Sequence, residues 1–381
     1  MRQGLKCNSR FVFFKNMKQI SSKVPVGILG ATGMVGQRFV SLLRNHPWFE
    51  VVSVSASRKS AGKSYGEAVA GRWAQKEGVP EEIKKFQVHS VEDELENISK
   101  NVKIVFSALE ADKDFVKKTE EKLAFLGNAV VSVSSAHRWT VDVPIIMPEI
   151  NPDHLDIIEA QRKNRGWKNG FIIVKPNCSV QCYVPLLRAW KDFHPQKVIV
   201  STYQAVSGAG KTLGGWPEME DNIIPYIKDE EEKSEKEPMK ILGKLNLEKG
   251  KVELVSDPII SSNCVRVPVS DGHLTAVNIS FRKRAAKNDL INALLNFKNP
   301  LDKFNLPSAP KPFIRYFKNE DRPQTKLDRD FQNGMSISVG RLKNDPVLGW
   351  RCFALSHNTL RGAAGGAVLA AELAVKKGFI S

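Results

Sequence analysis

The absences narrow the field first. No apolar run in the 381 residues reaches the roughly 18 that a membrane-spanning helix needs. The five cysteines are odd in number, with no C-x-x-C pair and no cysteine–histidine cluster at zinc spacing. This argues against a disulfide framework or a structural metal and for a reducing compartment, the cytoplasm. The net charge is +16, yet no aromatic-interleaved basic motif accompanies it. A specific nucleic-acid reader is therefore not expected. A lysine-rich surface and a site for an anionic, phosphorylated substrate both remain open. The chain shows no internal repeat.

Acid is also missing from the first 23 residues, which carry Arg2, Lys6, Arg10, Lys15, Lys18 and Lys23. The apolar "FVFF" at 11–14 is too short for a signal-peptide core. A disordered leader is expected over 1–23, either an organelle-targeting segment or a start placed upstream of Met17.

The remainder has ordinary composition, 42% hydrophobic and 26% charged. Its length predicts two domains. "VPVGILGATGMVGQRFVSLLRNHP" (24–47) predicts a strand, a glycine turn and a helix that Pro47 stops. Strands are predicted within 49–57, 101–109 and 128–135, with a helix from about Asp112 to Leu126. Apolar strands alternating with helices imply a parallel sheet covered on both faces. After about residue 176 the pattern changes. A strand at 197–208 runs into a Gly-rich loop, and 229–245 is charged and turns helical. Residues 263–284 alternate like strands joined by a Ser-Asp-Gly turn. The fold class is thus α/β, a Rossmann-like dinucleotide-binding domain (24–176) plus an α+β catalytic domain (177–356). The Ala-rich tail (357–381) is expected to pack back onto the first domain.

Gly30, Gly33 and Gly36 are spaced close to the dinucleotide fingerprint. Glycine lets the backbone approach a pyrophosphate, and a helix N-terminus offers free N–H groups. Candidate cofactor residues are Gly30, Thr32, Gly33, Met34, Val35 and Gly36. An NAD site usually has an acid at the end of the second strand. Here the residues are Ser57, Arg58, Lys59 and Ser60, with Lys63 beyond. Basic residues and hydroxyls without an acid suit a 2′-phosphate, so the expected cofactor is NADP. A solvated basic loop is the alternative.

"KPNCSVQCYVPLLRAW" (175–190) places Cys178 where a helix is expected to begin, a setting that lowers a thiol pKa. A buried core thiol is the competing reading. Cys182, Cys264 and Cys352 read as packed thiols, and Cys7 lies in the leader. A nucleophilic Cys178 needs a base. His46, His154 and His194 look like surface positions beside prolines or helix ends. His89 follows a short strand, His137 sits beside the more interesting Arg138, and His357 precedes the tail helix. His273 opens a strand after the Ser-Asp-Gly turn, a place from which a side chain reaches a cleft. The residues alone leave this choice open.

The motifs "GATGMVGQRF" (30–39), "SASRKSAGK" (55–63), "VSSAHRW" (133–139), "PNCSV" (176–180), "TYQAVSGAG" (202–210), "EEEKSEKEPMKILG" (230–243), "CVRVPVSDGHL" (264–274) and "HNTLRGAAGGAV" (357–368) occur in that order. Together they resemble the aspartate-β-semialdehyde dehydrogenase family, in its archaeal and fungal-type branch, from about Met17 onward. The resemblance implies Cys178 as nucleophile, His273 as acid/base and Gln204 as the residue that orients substrate. It further implies Arg266 and Glu230 on the substrate carboxylate and amino group. Asn177, Arg138 and Lys233 would take phosphate, and Asn358 would lie near the nicotinamide. The substrates would be β-aspartyl phosphate, aspartate semialdehyde and phosphate, with no metal needed and no membrane or nucleic-acid partner. A homodimer or homotetramer is implied, its contacts made by the second domain. Rival readings are a malonyl-CoA reductase of the same fold and an inactive NADP-binding partner. Glu230 speaks against the first, since malonyl-CoA has no ammonium.

Overall fold

The computed structural model describes residues 22–380, so the expected leader, with Met17 and Cys7, falls outside the described residues but for its last two positions. The first six strands are β1 (Val24–Leu29), β2 (Phe49–Ala56), β3 (Val88–Ser90), β4 (Ile104–Ser107), β5 (Ala129–Ser132) and β6 (Phe171–Val174). They form one parallel sheet in the order β3-β2-β1-β4-β5-β6. The order reverses direction between β1 and β4, which opens a crevice at the carboxyl ends of the strands. β4, β5 and β6 are buried at every position because both faces are covered. The helix Lys113–Phe125 starts where Asp112 accepts from the N–H groups of Asp114 and Phe115 at 2.9 and 3.2 Å.

The remaining strands are β7 (Pro195–Gln204), β8 (Lys244–Asn246), β9 (Lys251–Glu253), β10 (Ile259–Arg266), β11 (His273–Phe281), β12 (Ile314–Phe317), β13 (Ile337–Asp345) and β14 (Gly349–Ser356). β8 and β9 pair with each other. The others form a mixed sheet, β10-β7-β11-β14-β13-β12. β10 and β11 flank the Ser-Asp-Gly turn as expected from sequence, but they do not pair. β7 lies between them, parallel to β10 and antiparallel to β11. The ends of β7, β10 and β11 therefore meet at one edge of the sheet.

Alternation along the strands splits the interior in two. Ile172 and Val174 join Val105, Val130, Tyr183, Trp190, Val198, Val200 and Val277 in a core shared by both sheets. Ile173 and Phe171 face the other way, with Val131, Phe106 and the tail residues Ala364 to Ala374. The tail helix Gly365–Lys376 is buried along ten consecutive positions, and its alanines and glycines allow that close approach. Its Glu372 is fully buried and meets His46 Nε2 at 2.9 Å. His46 is thus not a surface residue, as its place beside Pro47 had implied, because a segment 326 residues later covers it. His154 is buried too, held by Asn151 and by the carbonyl of Gly243. His194 is exposed. Among the described residues no helix is long and apolar enough to cross a membrane.

Candidate active site

β6 ends at Val174, and the chain turns at Lys175-Pro176 toward Cys178. The thiol does not begin a long helix. It precedes one 3₁₀ turn, Ser179–Gln181, and the α-helix starts only at Val184. Pro185 at the second helical position explains the late start. The stabilising dipole expected from sequence is therefore replaced by nearby side chains. Burial pushes the Cys178 thiol up to about 12, with Glu230 adding to the rise, while Arg266, Arg138 and Lys175 pull it down.

His273 opens β11 and is fully buried. Its Nε2 lies 3.3 Å from Cys178 Sγ, across 95 residues of sequence. Its Nδ1 accepts the N–H of Ala205 at 3.1 Å. That bond fixes the tautomer: Nδ1 carries a lone pair, so Nε2 carries the proton and points it at sulfur. A second proton would put Nδ1–H against the Ala205 N–H. Burial, with the positive charge of Arg266 beside it, holds His273 well below the usual histidine range. Cys182, one turn beyond Cys178, is core, and its thiol donates to the His273 carbonyl at 3.2 Å.

Around this pair the strand ends supply charge. Arg266 closes β10 opposite Gln204, which closes β7. Arg266 donates Nη1 to the Ala205 carbonyl at 2.7 Å. One backbone residue, Ala205, thereby orients both the imidazole and the guanidinium. A Cβ on Gly208 would come within 2.7 Å of Arg266 Nη1 and 3.3 Å of His273 Nε2. Its absence leaves room beside these two buried groups. Glu230 begins the helix Glu230–Ile241 and is buried. Its carboxylate accepts from Gln204 Nε2 at 3.2 Å and from Asn177 Nδ2 at 3.0 Å, with Lys233 Nζ 3.7 Å away.

Arg138 is buried and donates to Glu237 at 2.8 Å and to the Lys175 carbonyl at 3.2 Å. The other oxygen of Glu237 accepts the backbone N–H of Asn177 at 2.7 Å. Glu237 ties the arginine to the residue before the thiol, and the sequence reading missed it. Lys175 was missed as well; burial, with Arg361 nearby, holds its ammonium well below the usual lysine range. Asn358 is buried between the Gly272 N–H and Ser207 Oγ, each at 2.8 Å. A Cβ on Gly362 would meet Cys178 Cβ at 2.8 Å, so the tail closes over the thiol.

The glycine loop fits a dinucleotide. Gly30 has φ +70°, and a Cβ there would strike the Ala108 carbonyl at 2.4 Å. A Cβ on Gly36 would strike the Gly30 carbonyl at 2.1 Å. Gly33, exposed at the N-cap of the helix Met34–Leu43, has no such clash and leaves bare backbone facing outward. No carboxylate occupies the first turn of that helix. Thr32, Met34 and Val35 are partly exposed beside it. Beyond β2, Ser57 and Arg58 are exposed, whereas Ser60 is buried with its hydroxyl facing Arg72 at 3.1 Å. Arg58 is not free. It grips Asp93 through Nε at 2.8 Å and Nη2 at 2.5 Å.

The chain is similar to known proteins along most of its length. Residues 25–158 match the family model described as "Semialdehyde dehydrogenase, NAD binding domain", and 184–361 match "Semialdehyde dehydrogenase, dimerisation domain". The chain is 43% identical to an aspartate-semialdehyde dehydrogenase of Archaeoglobus fulgidus, covering 93% of this chain and 99% of that protein. It is 41% identical to one from Schizosaccharomyces pombe over 93% and 99%. Among solved structures, that of aspartate semialdehyde dehydrogenase with NADP from Candida albicans superposes with a TM-score of 0.84. It is 37% identical, covering 94% of this chain and 100% of that one.

Proposed function

The chain belongs to the aspartate-semialdehyde dehydrogenase family, and from that premise we propose how its site works. It is an NADP-dependent oxidoreductase of aspartate-pathway amino-acid biosynthesis. Its reaction is the reductive dephosphorylation of β-aspartyl phosphate to aspartate β-semialdehyde. The observation that carries the site reading is the 3.3 Å approach of Cys178 Sγ to His273 Nε2, beside buried Arg266 and Glu230.

The Cys178 sulfur attacks the acyl carbon, phosphate departs with the C–O electron pair and takes up the thiol proton, and a thioester stands on the sulfur. NADP(H), when bound, supplies the hydride that reduces the thioester carbon. His273 Nε2–H donates a hydrogen bond to the oxygen that gains charge on hydride addition, and as that alkoxide collapses to the aldehyde the released Cys178 thiolate takes a proton from solvent. Arg266 pairs with the substrate carboxylate and Glu230 with its ammonium, while Gln204 orients the acyl group. Arg138, Lys233 and Asn177 hold phosphate, where charge-assisted bonds are strongest. Gly30, Thr32, Gly33, Met34, Val35 and Gly36 receive the pyrophosphate, Ser57, Arg58 and Ser60 the 2′-phosphate end, and Asn358 the nicotinamide side.

The outer face of the second sheet leaves Ile199 of β7 and Ile259 of β10 exposed. This supports a homo-oligomer, dimer or tetramer, joined through that face. The four described cysteines are unpaired, in keeping with the cytoplasm.

The test is NADP reduction with aspartate semialdehyde, followed with and without phosphate. Reduction should require phosphate, because phosphate releases the acyl group from Cys178. Equal rates without phosphate, or no reduction with it, would overturn this function.

A further inference from the structure

The sequence has no acid at the end of the second strand, yet the fold brings one there. β2 and β3 run parallel with Ala56 opposite Ser90. Arg58 follows the first of these and Asp93 the second. The two side chains form a bidentate pair, Nε to Oδ2 at 2.8 Å and Nη2 to Oδ1 at 2.5 Å. Asp93 is also pinned by Ser90 Oγ at 2.7 Å, so it does not simply follow Arg58 when that side chain moves. Both remain open to solvent, at 69% and 49% exposure. The carboxylate is held down to about 2 by Arg58 and Ser90, so it is ionised at any working pH.

We propose that Asp93, acting through Arg58, sets the balance between NADP and NAD. The inference rests on the reading of the Arg58 loop as the 2′-phosphate end of the cofactor site. A ribose phosphate carries about −1.5 to −2 charges near neutral pH. To bind Arg58 it must displace Asp93 or take the edge of the guanidinium that Asp93 leaves open. In either case a fixed carboxylate stays within the Debye length of about 8 Å and opposes it. NAD meets no such repulsion, and its ribose hydroxyl can donate to the same carboxylate. Asp93 thus tempers the NADP preference that Arg58 confers. It is a positioning and selectivity residue that touches none of the reacting atoms.

The test is equilibrium binding, with Kd for NADP and NAD measured separately on wild type and variants. Asp93→Asn should raise the ratio of Kd for NAD to Kd for NADP by about five- to tenfold, mainly through tighter NADP. The gain should shrink at about 1 M salt, where the Debye length is about 3 Å. Asp93→Glu keeps the charge and should stay within about twofold of wild type. A ratio that Asp93→Asn leaves unchanged or lowers would overturn the proposal, as would an equal rise in Asp93→Glu. Arg58→Ala separates the two levels: it should weaken NADP by about tenfold or more and leave NAD nearly unchanged. If Arg58→Ala affects both cofactors equally, the 2′-phosphate reading falls and this proposal with it. If Arg58→Ala is selective and Asp93→Asn is not, the Asp93 proposal alone falls.

Discussion

Glu230→Gln separates substrate recognition from thiol chemistry, because the two should respond with opposite signs. One carboxylate oxygen accepts from Gln204 and the other from Asn177. Glutamine preserves the shape but offers a single acceptor, so its amide NH₂ faces another NH₂ group. A buried donor left without an acceptor costs about 1–3 kcal/mol, and a lost bond to a charged group about 1.5–3 kcal/mol. With the substrate ammonium as that charged group, the loss comes to about 3–5 kcal/mol. This is two to nearly four powers of ten in kcat/KM for aspartate semialdehyde. An aldehyde of equal length without the amino group escapes the charge contribution and should lose only about tenfold. Glu230 also raises the Cys178 thiol, so its removal should speed alkylation of the resting enzyme by iodoacetamide at pH 8. Equal losses with both aldehydes would refute ammonium recognition by Glu230. They would also reopen the case for a substrate without an amino group. Unchanged or slower alkylation would refute the electrostatic account of the thiol.

Other outcomes follow from the same geometry. Lys233→Ala should raise KM for phosphate more than for the semialdehyde, by about tenfold. Arg138→Ala should do the same while losing about 3–5 kcal/mol of stability, since buried Glu237 loses its ion-pair partner. Phosphate kinetics unchanged in both variants would remove them from the phosphate site. Alkylation of wild-type Cys178 should rise about tenfold per pH unit from 7 to 9, following a thiol pushed up to about 12. A plateau near pH 7 would instead show a thiolate–imidazolium pair, which the Ala205 N–H bond to His273 Nδ1 disfavours. Glu120 is fully buried, accepts Ser132 Oγ at 2.6 Å, and is raised to about 7 by burial. A carboxyl raised on folding stabilises fully below its unfolded value, near 4.5, and loses that contribution as pH climbs through about 7. Glu120→Gln should therefore remove a stability slope of about 3 kcal/mol between pH 4.5 and 8. Identical Tm-against-pH curves would count against it.

Local pattern carried the first sheet well. β1, the glycine turn and the helix after it have periodicity and stop signals within 24 contiguous residues. The site is harder to read, because its geometry comes from strand order. Ala205, His273 and Arg266 meet because β7 separates β10 from β11, and no alternation of residues announces that insertion. Glu237 lies in a run of acids and lysines in which Glu231, Glu232 and Lys236 face solvent, so nothing local marks it as the partner of Arg138. Asp93 is hidden likewise, in "VEDELE" at 91–96, and becomes visible only through the pairing of β2 with β3. His46 and His154 were misplaced for the reverse reason: proline and helix-end neighbours indicate a turn, and they say nothing of what later folds over it. The helix expected at Cys178 begins six residues late.

The most direct test of the central claim is Cys178→Ala, with turnover and NADP binding measured on the same preparation. The thiol forms the covalent bond to the acyl group but does not contact the Gly30–Gly36 loop. Phosphate-dependent turnover should fall by at least about 1,000-fold, and Kd for NADP should stay within about twofold. Turnover near the wild-type rate would contradict the assignment of Cys178 as nucleophile, and with it the mechanism proposed for this site.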